Sequence, residues 1–210
     1  MQTMAEFELY CFGESGNSYK AALMLTLCGL DWAPRKVAFM DGETRGDAFR
    51  SEVNEMGECP TLAHRGKLLS QSGAILDYLV QRTGRFGWSN DDERREVLRW
   101  LLFDNHKFTS YIATHRFMTH FMKQDNEVTK FLKARADSAL RIVDKHLAGR
   151  EWITLERPTI ADLSMAGYMY YDGELGFDFA DFPAIAAWRG RIRKLPGWRG
   201  PYELMPRAAK

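Results

Sequence analysis

The chain has 210 residues, which is enough for one large domain or two small ones. Its 29 basic and 28 acidic side chains give a formal charge of +1, so no global charge favours nucleic acid or an anionic membrane as a partner. The three cysteines form no Cys-x-x-Cys pair and do not suggest a disulfide framework. With no signal peptide and no apolar run of membrane length, the sequence predicts a cytoplasmic protein.

The first 82 residues alternate between strand and helix patterns. Short apolar runs predict strands, apolar faces at helical spacing predict helices, and a two-residue turn joins the last two strands. The predicted order is β-α-β-α-β-β-α with a mixed four-stranded sheet, in which two connections join parallel strands and the last two strands are antiparallel. The segments are strand Phe7–Phe12, helix Tyr19–Leu30, strand Val37–Phe39, a weak helix within Asp41–Glu52, strands Thr61–Ala63 and Lys67–Leu69, and a helix from Ser72.

The rest of the chain has helical patterns and no strand pattern. Residues 83–90 contain two glycines and a serine, which is typical of a linker between domains. Residues 91–210 are therefore predicted to form a second, all-helical domain. Its expected helices lie within Asp91–Lys123, Asn126–Leu147, Arg157–Asp172 and Asp181–Leu195.

The segment before the third strand predicts a binding site. Proline has no N–H to give to a sheet, so Pro60 belongs at the start of a strand. If the Cys59–Pro60 bond is cis, the Cys59 backbone could face a cleft and pair with a peptide-like ligand. Ser72 begins a helix whose free N–H groups favour an anion. Together these features predict a site for a small, extended molecule that carries a carboxylate.

Three motifs resemble the cytosolic glutathione transferase family. Residues 54–62, Asn-Glu-Met-Gly-Glu-Cys-Pro-Thr-Leu, are similar to the family's Asn-Pro-x-Gly-x-Val-Pro-x-Leu segment. Residues 71–75, Gln-Ser-Gly-Ala-Ile, are similar to its Glu/Gln-Ser-x-Ala-Ile segment. Residues 157–162, Arg-Pro-Thr-Ile-Ala-Asp, resemble its Pro-x-Ser/Thr-x-Ala-Asp box, in which Thr159 and Asp162 can form a capping box that serves folding.

The resemblance implies a thioredoxin-like domain in residues 1–82 that binds glutathione, a helical domain that lines a second-substrate pocket, and a homodimer. Glutathione would be the co-substrate, no metal would be needed, and the second substrate would be a small hydrophobic electrophile. The cysteinyl backbone of glutathione would pair with Cys59, next to Pro60. Its γ-glutamyl carboxylate would lie at Gln71 and Ser72.

Two acidic residues depart from the family pattern. Glu58 replaces a residue that is often Lys or Gln, and unless it points away its carboxylate would oppose the glycyl carboxylate of glutathione. Lys36 is then a candidate to compensate, with Arg35 or Arg45 as alternatives. Glu55 replaces the proline of the family segment, a change with no evident chemical meaning.

The catalytic task implied by the resemblance is to ionise the thiol of glutathione. A free thiol has a pKa near 8.5, so only about 3 % is thiolate at pH 7. Lowering that pKa by roughly two units needs about 2.7 kcal/mol, which one hydroxyl donor and a helix N-terminus can supply. Ser15 resembles the active serine of serine-type members. Asn17, as helix cap or second donor, and Ser18 are the other candidates.

Tyr10 and two cysteines offer alternative mechanisms. Tyr10 suggests the tyrosine-type mechanism, but it lies inside the predicted first strand rather than at its end. Cys11 or Cys59 suggests a cysteine-type member that forms mixed disulfides. Ordinary core packing is the competing interpretation for both cysteines, as turn and cap formation are for Ser15 and Asn17.

The helical domain carries a run of aromatic and basic side chains. Phe103, His106, Lys107 and Tyr111 are about one turn apart and could line a pocket over the sulfur of glutathione. Core packing beside a polar face explains the same aromatic residues. The histidines lack the spacing and acidic partner of a metal site.

The sequence thus predicts an enzyme that conjugates the glutathione thiolate to small apolar or aromatic electrophiles. Two alternatives stay open within the same fold. One is a glutathione-dependent thiol reductase or peroxidase, and the other is a non-catalytic module that binds a ligand or a partner protein.

Overall fold

The computed structural model describes residues 5–208. They form two compact units, of which the first runs through Arg85 and resumes at Leu195, and the second is Phe86–Lys194. Residues 195–208, which the sequence analysis assigns to the helical domain, are grouped here with the first unit. No helix within residues 5–208 is long and apolar enough to cross a membrane.

The observed elements follow the predicted order. The long predicted helix of Asp91–Lys123 is a run of α-helix interrupted by two π-helical turns, at Asp104–Phe108 and Phe117–Phe121. In chain order the elements are β1 Phe7–Cys11, α1 Gly16–Leu27, β2 Trp32–Lys36, α2 Asp47–Glu52, β3 Thr61–His64, β4 Lys67–Ser70, α3 Ser72–Thr83, α4 Asp91–Phe103, α5 Thr109–Arg116, α6 Glu127–Leu147, α7 Ile160–Met165, α8 Pro183–Arg193 and α9 Pro201–Leu204.

The first unit is built on a four-stranded mixed sheet in the order β2-β1-β3-β4, which confirms the predicted thioredoxin-like fold. Strand β2 is parallel to β1, whereas β3 is antiparallel to both β1 and β4. The expectation of two parallel connections is therefore wrong for the second one. The segment between β2 and β3 brings the chain back in the opposite direction.

Strand β2 lies earlier in the chain than the sequence analysis expects. The predicted strand Val37–Phe39 is wrong, because the strand ends at Lys36 and Val37 is the buried residue that follows it. Strand β2 is an edge strand with exposed Pro34 and Lys36. A proline and charged side chains are tolerated at a sheet edge but give no apolar strand pattern.

The strand register brings the predicted site residues to one end of the sheet, where β1 and β4 finish and β3 begins. Tyr10, near the end of β1, is opposite Thr61 at the start of β3, and Thr61 is opposite Ser70 at the end of β4. On the other side of β1, Cys11 is opposite Lys36. Helices α1 and α3 begin shortly after β1 and β4, so both helix N-termini lie at this same end of the sheet.

The second unit is entirely helical, as predicted. Asp104, which is fully buried in the first π-helical turn, accepts hydrogen bonds from the hydroxyls of Thr109 and Ser164, both at 2.6 Å. The predicted capping box is present at α7, where Thr159 and Asp162 exchange side-chain to backbone hydrogen bonds. These polar networks connect separate helices within a core around Trp188, which is fully buried.

Candidate functional site

Ser15 caps helix α1. Its Oγ accepts a hydrogen bond from the backbone N–H of Ser18 at 3.1 Å, and its own N–H donates to the carbonyl of Phe12 at 3.1 Å. Its side chain is nearly buried, with 6 % of the residue exposed. Because the capping bond uses an oxygen lone pair, the hydroxyl hydrogen of Ser15 is left for another acceptor. The geometry therefore holds one hydroxyl donor at the N-terminus of a 12-residue helix.

The other two catalytic candidates lie inside α1. The possible capping role of Asn17 is wrong, because Ser15 occupies that position. Asn17 Oδ1 and Ser18 Oγ are both buried and have no hydrogen-bond partner. Ser18 is fully buried. Both side chains have unused hydrogen-bonding capacity near the start of α1, and neither replaces Ser15 as its cap.

The Cys59–Pro60 bond is cis. Both residues precede β3 and take no part in its ladders, which begin at Thr61. Burial, with a smaller contribution from the charge of Glu43, raises the pKa of Cys59 to about 12. Burial, followed by the charge of Cys59, also raises the pKa of Cys11 to about 12. A thiol that stays protonated is a poor nucleophile, so the structure does not favour the cysteine-type mechanism.

Helix α3 begins without a side-chain cap. Gln71 has φ +68°, and the first helical hydrogen bond runs from Ile75 N–H to the Gln71 carbonyl at 2.9 Å. The backbone N–H groups of residues 72–74 come before this first bond, so they have no acceptor within the helix itself. Ser72 is only 6 % exposed. An uncapped start of a 12-residue helix favours an anion. This helix start is compatible with the γ-glutamyl carboxylate expected at Gln71 and Ser72, which stays a prediction.

The three basic residues predicted as partners of the glycyl carboxylate have different surroundings. Lys36 is exposed and lies at the same end of the sheet as the start of β3, but β1 separates its strand from β3. Arg35 is paired with Glu8 at 3.0 Å and also contacts the hydroxyl of Tyr10 at 3.5 Å. Arg45 is exposed in the segment before α2. The register thus brings Lys36 to the end of the sheet where the candidate site lies, whereas Arg35 forms an ion pair with Glu8.

A contact that the sequence does not predict joins the loop before Ser15 to the segment after α9. Gly13 N–H donates to the Pro206 carbonyl at 2.6 Å, and the Glu14 carboxylate accepts from Ala208 N–H at 2.8 Å. A Cβ on Gly13 would lie 3.1 Å from the Tyr202 ring. Glu14 is 4 % exposed. These partners are nearly 200 residues apart in the chain, and a charged residue in a glycine-containing loop was the sole local signal.

The four predicted pocket residues of the second unit have different surroundings. Phe103 ends α4 and packs edge-on against Trp100, with ring centroids 5.4 Å apart. Tyr111 accepts a hydrogen bond from Arg135 at 3.4 Å. Lys107 is half-buried and His106 is exposed, both within the first π-helical turn. Their role in a second-substrate pocket remains a prediction.

The second unit also contains a cleft of about 540 Å³ that was not expected. Residues from α5, α6 and nearby turns line it, among them His115, Lys133 and Asp137. None of the four predicted pocket residues lines this cleft. Within residues 5–208, no group of three His, Cys, Asp or Glu side chains is arranged to hold a metal ion.

Comparisons with known proteins agree with this architecture. The model of the glutathione S-transferase N-terminal domain matches residues 5–81, and that of the C-terminal domain matches residues 104–196. A crystal structure of a glutathione S-transferase from Xanthobacter autotrophicus Py2 shares 32 % identity, covers 94 % of this chain and 98 % of its own, and superposes with a TM-score of 0.86.

Two curated relatives carry different names. Glutathione S-transferase verG of Clonostachys rogersoniana is 28 % identical over 204 residues, which are 88 % of this chain and 82 % of that protein. Disulfide-bond oxidoreductase YfcG of Escherichia coli strain K12 is 26 % identical over 200 residues, 90 % of this chain and 91 % of that protein. With both domain models matched in order and the thioredoxin-like fold observed, the chain belongs to the glutathione S-transferase family.

Proposed function

We propose that the protein is a glutathione transferase that joins the thiolate of glutathione to small apolar or aromatic electrophiles. The observation that carries this proposal is the Ser15 cap, whose Oγ accepts the Ser18 N–H at 3.1 Å and whose hydroxyl hydrogen is left to donate. Membership of the glutathione S-transferase family supports the choice of thiol. The cis Cys59–Pro60 bond and the uncapped start of α3 support the proposed way in which glutathione binds.

In the proposed complex, glutathione lies extended across the end of the sheet where β3 begins. Its cysteinyl backbone pairs with Cys59, which lies outside the ladder, beside Pro60. Its γ-glutamyl carboxylate accepts hydrogen bonds at the uncapped start of α3, from Ser72 and its neighbours. This orientation directs the sulfur towards the start of α1, where Ser15 is the cap.

The proposed reaction begins with ionisation of the bound thiol, whose proton is released to solvent. The Ser15 hydroxyl donates a hydrogen bond to the resulting thiolate, and the positive end of the α1 dipole favours the same charge. The sulfur then attacks the electrophilic carbon, a C–S bond forms, and the leaving group departs with its electron pair. Phe103, His106, Lys107 and Tyr111 are the residues proposed to contact the electrophile.

Substitution of Ser15 tests this mechanism. In Ser15→Ala, the pKa of enzyme-bound glutathione should rise from about 6.5 to about 7.5–8, because the N-terminus of α1 still favours the thiolate, and the thiolate fraction at pH 7 should fall about 3- to 8-fold. Thiolate ultraviolet absorbance measures this pKa, and 1-chloro-2,4-dinitrobenzene measures turnover. Ser51→Ala is the matched control, because Ser51 is exposed in α2 and its hydroxyl donates to the Ala48 carbonyl within the same helix. An unchanged pKa in Ser15→Ala would refute the proposal.

A second candidate is glutathione-dependent disulfide reduction, which the similarity to YfcG brings forward. A mechanism that uses a protein thiol is not favoured here, because burial raises the pKa of both Cys11 and Cys59 to about 12. Reduction by the bound glutathione thiolate itself would use the same Ser15 donor. Parallel assays with a disulfide substrate and an aromatic electrophile would separate the two activities.

We also propose that the protein acts as a homodimer, in line with its family. The exposed side chains of Leu98 and Leu102, one turn apart on α4, support an apolar contact with a second copy. Sedimentation of the wild type should give twice the chain mass, and Leu98→Glu with Leu102→Glu should give the chain mass. A monomeric wild type would overturn this proposal.

A further inference from the structure

Glu58 departs from the family pattern, and the structure gives its side chain a definite position. Asn54 fixes the loop that carries it: its Nδ2 donates to the Glu58 carbonyl at 2.8 Å, and its Oδ1 accepts from Met56 N–H at 3.1 Å. Gly57 has φ +67°, and a Cβ there would lie 2.7 Å from the Thr44 carbonyl. The backbone before Cys59 is therefore held by several contacts.

The Glu58 side chain turns towards the start of α3. Its Oε2 accepts a hydrogen bond from Gln71 Nε2 at 2.9 Å, and the same nitrogen lies 3.3 Å from the sulfur of Met56. Both Glu58 and Gln71 are exposed, so a ligand can reach the carboxylate. The expected conflict with the glycyl end of glutathione therefore does not follow from this geometry. The carboxylate lies beside the residue that precedes Ser72.

The start of α3 and the Glu58 carboxylate carry opposite charges next to each other. The N-terminus of α3 favours an anion, whereas a glutamate side chain favours a cation. The γ-glutamyl group of glutathione carries a carboxylate and an ammonium on the same carbon. A ligand whose carboxylate sits at Ser72 can therefore point its ammonium towards the Glu58 carboxylate, which is held 2.9 Å from the side chain of Gln71, the residue that precedes Ser72.

We propose that Glu58 binds the ammonium of the γ-glutamyl group and that Gln71 holds the Glu58 carboxylate in position. Glu58 then makes the site selective for ligands with an amino-acid end over ligands with a plain carboxylate end. This inference rests on the proposed binding of glutathione. It assigns a favourable role to the residue whose charge was the main objection to that binding.

The test compares two ligands and three proteins by isothermal titration calorimetry. The ligands are glutathione and glutaryl-cysteinylglycine, which lacks only the ammonium. The proteins are the wild type, Glu58→Gln and Glu55→Gln. Gln at position 58 keeps an oxygen that can accept from Gln71 and removes only the charge. Glu55 is the matched control, because it is an exposed carboxylate in the same loop.

The wild type should bind glutathione about tenfold more tightly than the analogue, as expected for a partly exposed charged hydrogen bond. Glu58→Gln should lose about tenfold in affinity for glutathione and bind the analogue as tightly as the wild type or more tightly. Glu55→Gln should match the wild type with both ligands.

Four outcomes would overturn the inference. Equal weakening of both ligands in Glu58→Gln would make Glu58 a structural residue, and tighter glutathione binding in that variant would mean that Glu58 repels a carboxylate. If the wild type binds neither ligand, the proposed function itself fails. If it binds both equally well, glutathione binding stands and the role of Glu58 fails.

Discussion

The starts of α7 and α1 are both capped by a hydroxyl, but their hydrogen bonds are completed differently. At α7, Thr159 Oγ1 accepts from Ala161 N–H, and Asp162 Oδ2 accepts from Thr159 N–H at 2.9 Å. Asp162 Oδ1 also accepts from Ile153 N–H at 2.8 Å and from Trp188 Nε1 at 2.9 Å. Burial raises the pKa of Asp162, and these donors oppose that shift. The cap of α7 is a closed, fully buried network.

The cap of α1 is open by comparison. Ser15 satisfies one N–H, the first turn has no acidic residue, and Asn17 Oδ1 and Ser18 Oγ have no partner. This difference fits the proposed function. A helix start that serves folding has its polar groups satisfied within the protein, whereas in the proposed mechanism the cap of α1 keeps the Ser15 hydroxyl hydrogen for glutathione.

Removing the closed cap should have the largest effect. Asp162→Ala leaves buried N–H groups of Ile153, Thr159 and Trp188 without an acceptor, so we expect the free energy of unfolding to fall by about 3–5 kcal/mol. Urea denaturation measures it. Asp92→Ala, at an exposed first-turn aspartate of α4, should change it by less than about 0.5 kcal/mol. A loss below about 1 kcal/mol in Asp162→Ala would show that the network does not hold this core together.

The second prediction separates capping from chemistry at α1. Aspartate is a good helix cap, which offsets part of the cost of placing a charge at a nearly buried site, so Ser15→Asp should lower the free energy of unfolding by no more than about 2 kcal/mol. Its negative charge should raise the pKa of bound glutathione above about 8.5 and lower conjugation about 100-fold. Asn90→Asp, at the exposed cap of α4, is the control that should leave both quantities unchanged. Full activity in Ser15→Asp would remove the hydroxyl from the mechanism.

The third prediction concerns the contact that anchors the loop before Ser15. Glu14→Ala removes the acceptor of the buried Ala208 N–H, and we expect a loss of about 1–3 kcal/mol in the free energy of unfolding. Glu14→Gln keeps an acceptor oxygen and should recover most of that loss. Chemical denaturation of the two variants side by side is the measurement. Equal stability of both variants would mean that the contact contributes little.

The smallest effect is expected at Cys59. Cys59→Val should leave kcat/KM for conjugation within about twofold, because the thiol is not ionised near neutral pH. With its pKa raised to about 12, the thiolate fraction rises about tenfold per pH unit from pH 8 to 10, and alkylation by iodoacetamide should follow that slope. The folded state holds the Cys59 proton more strongly than the unfolded chain does. The free energy of unfolding is therefore unaffected near neutral pH and falls as the pH rises above about 8.5, the ordinary pKa of a thiol. Rapid alkylation at pH 8 with loss of turnover would contradict this.

Much of the first unit and one helix start of the second unit could be read from local sequence. The apolar run of β1, the cis proline before β3, the start of α3 at Ser72 and the capping box of α7 depend on residues close together in the chain. Strand β2 was placed too late because Pro34 and exposed charges hide an edge strand. The π-helical turns of the second unit have no sequence signal of comparable strength.

Three motifs at residues 54–62, 71–75 and 157–162 indicate the family through their resemblance to known members. The order of strands and helices in the first unit follows from periodicity, turn residues and caps, which act over a few residues. Tertiary contacts were needed to establish that Glu58 faces Gln71, that Ser15 rather than Asn17 caps α1, and that the segment after α9 holds Gly13 and Glu14. Side-chain direction and contacts between distant segments depend on packing, which no local pattern encodes.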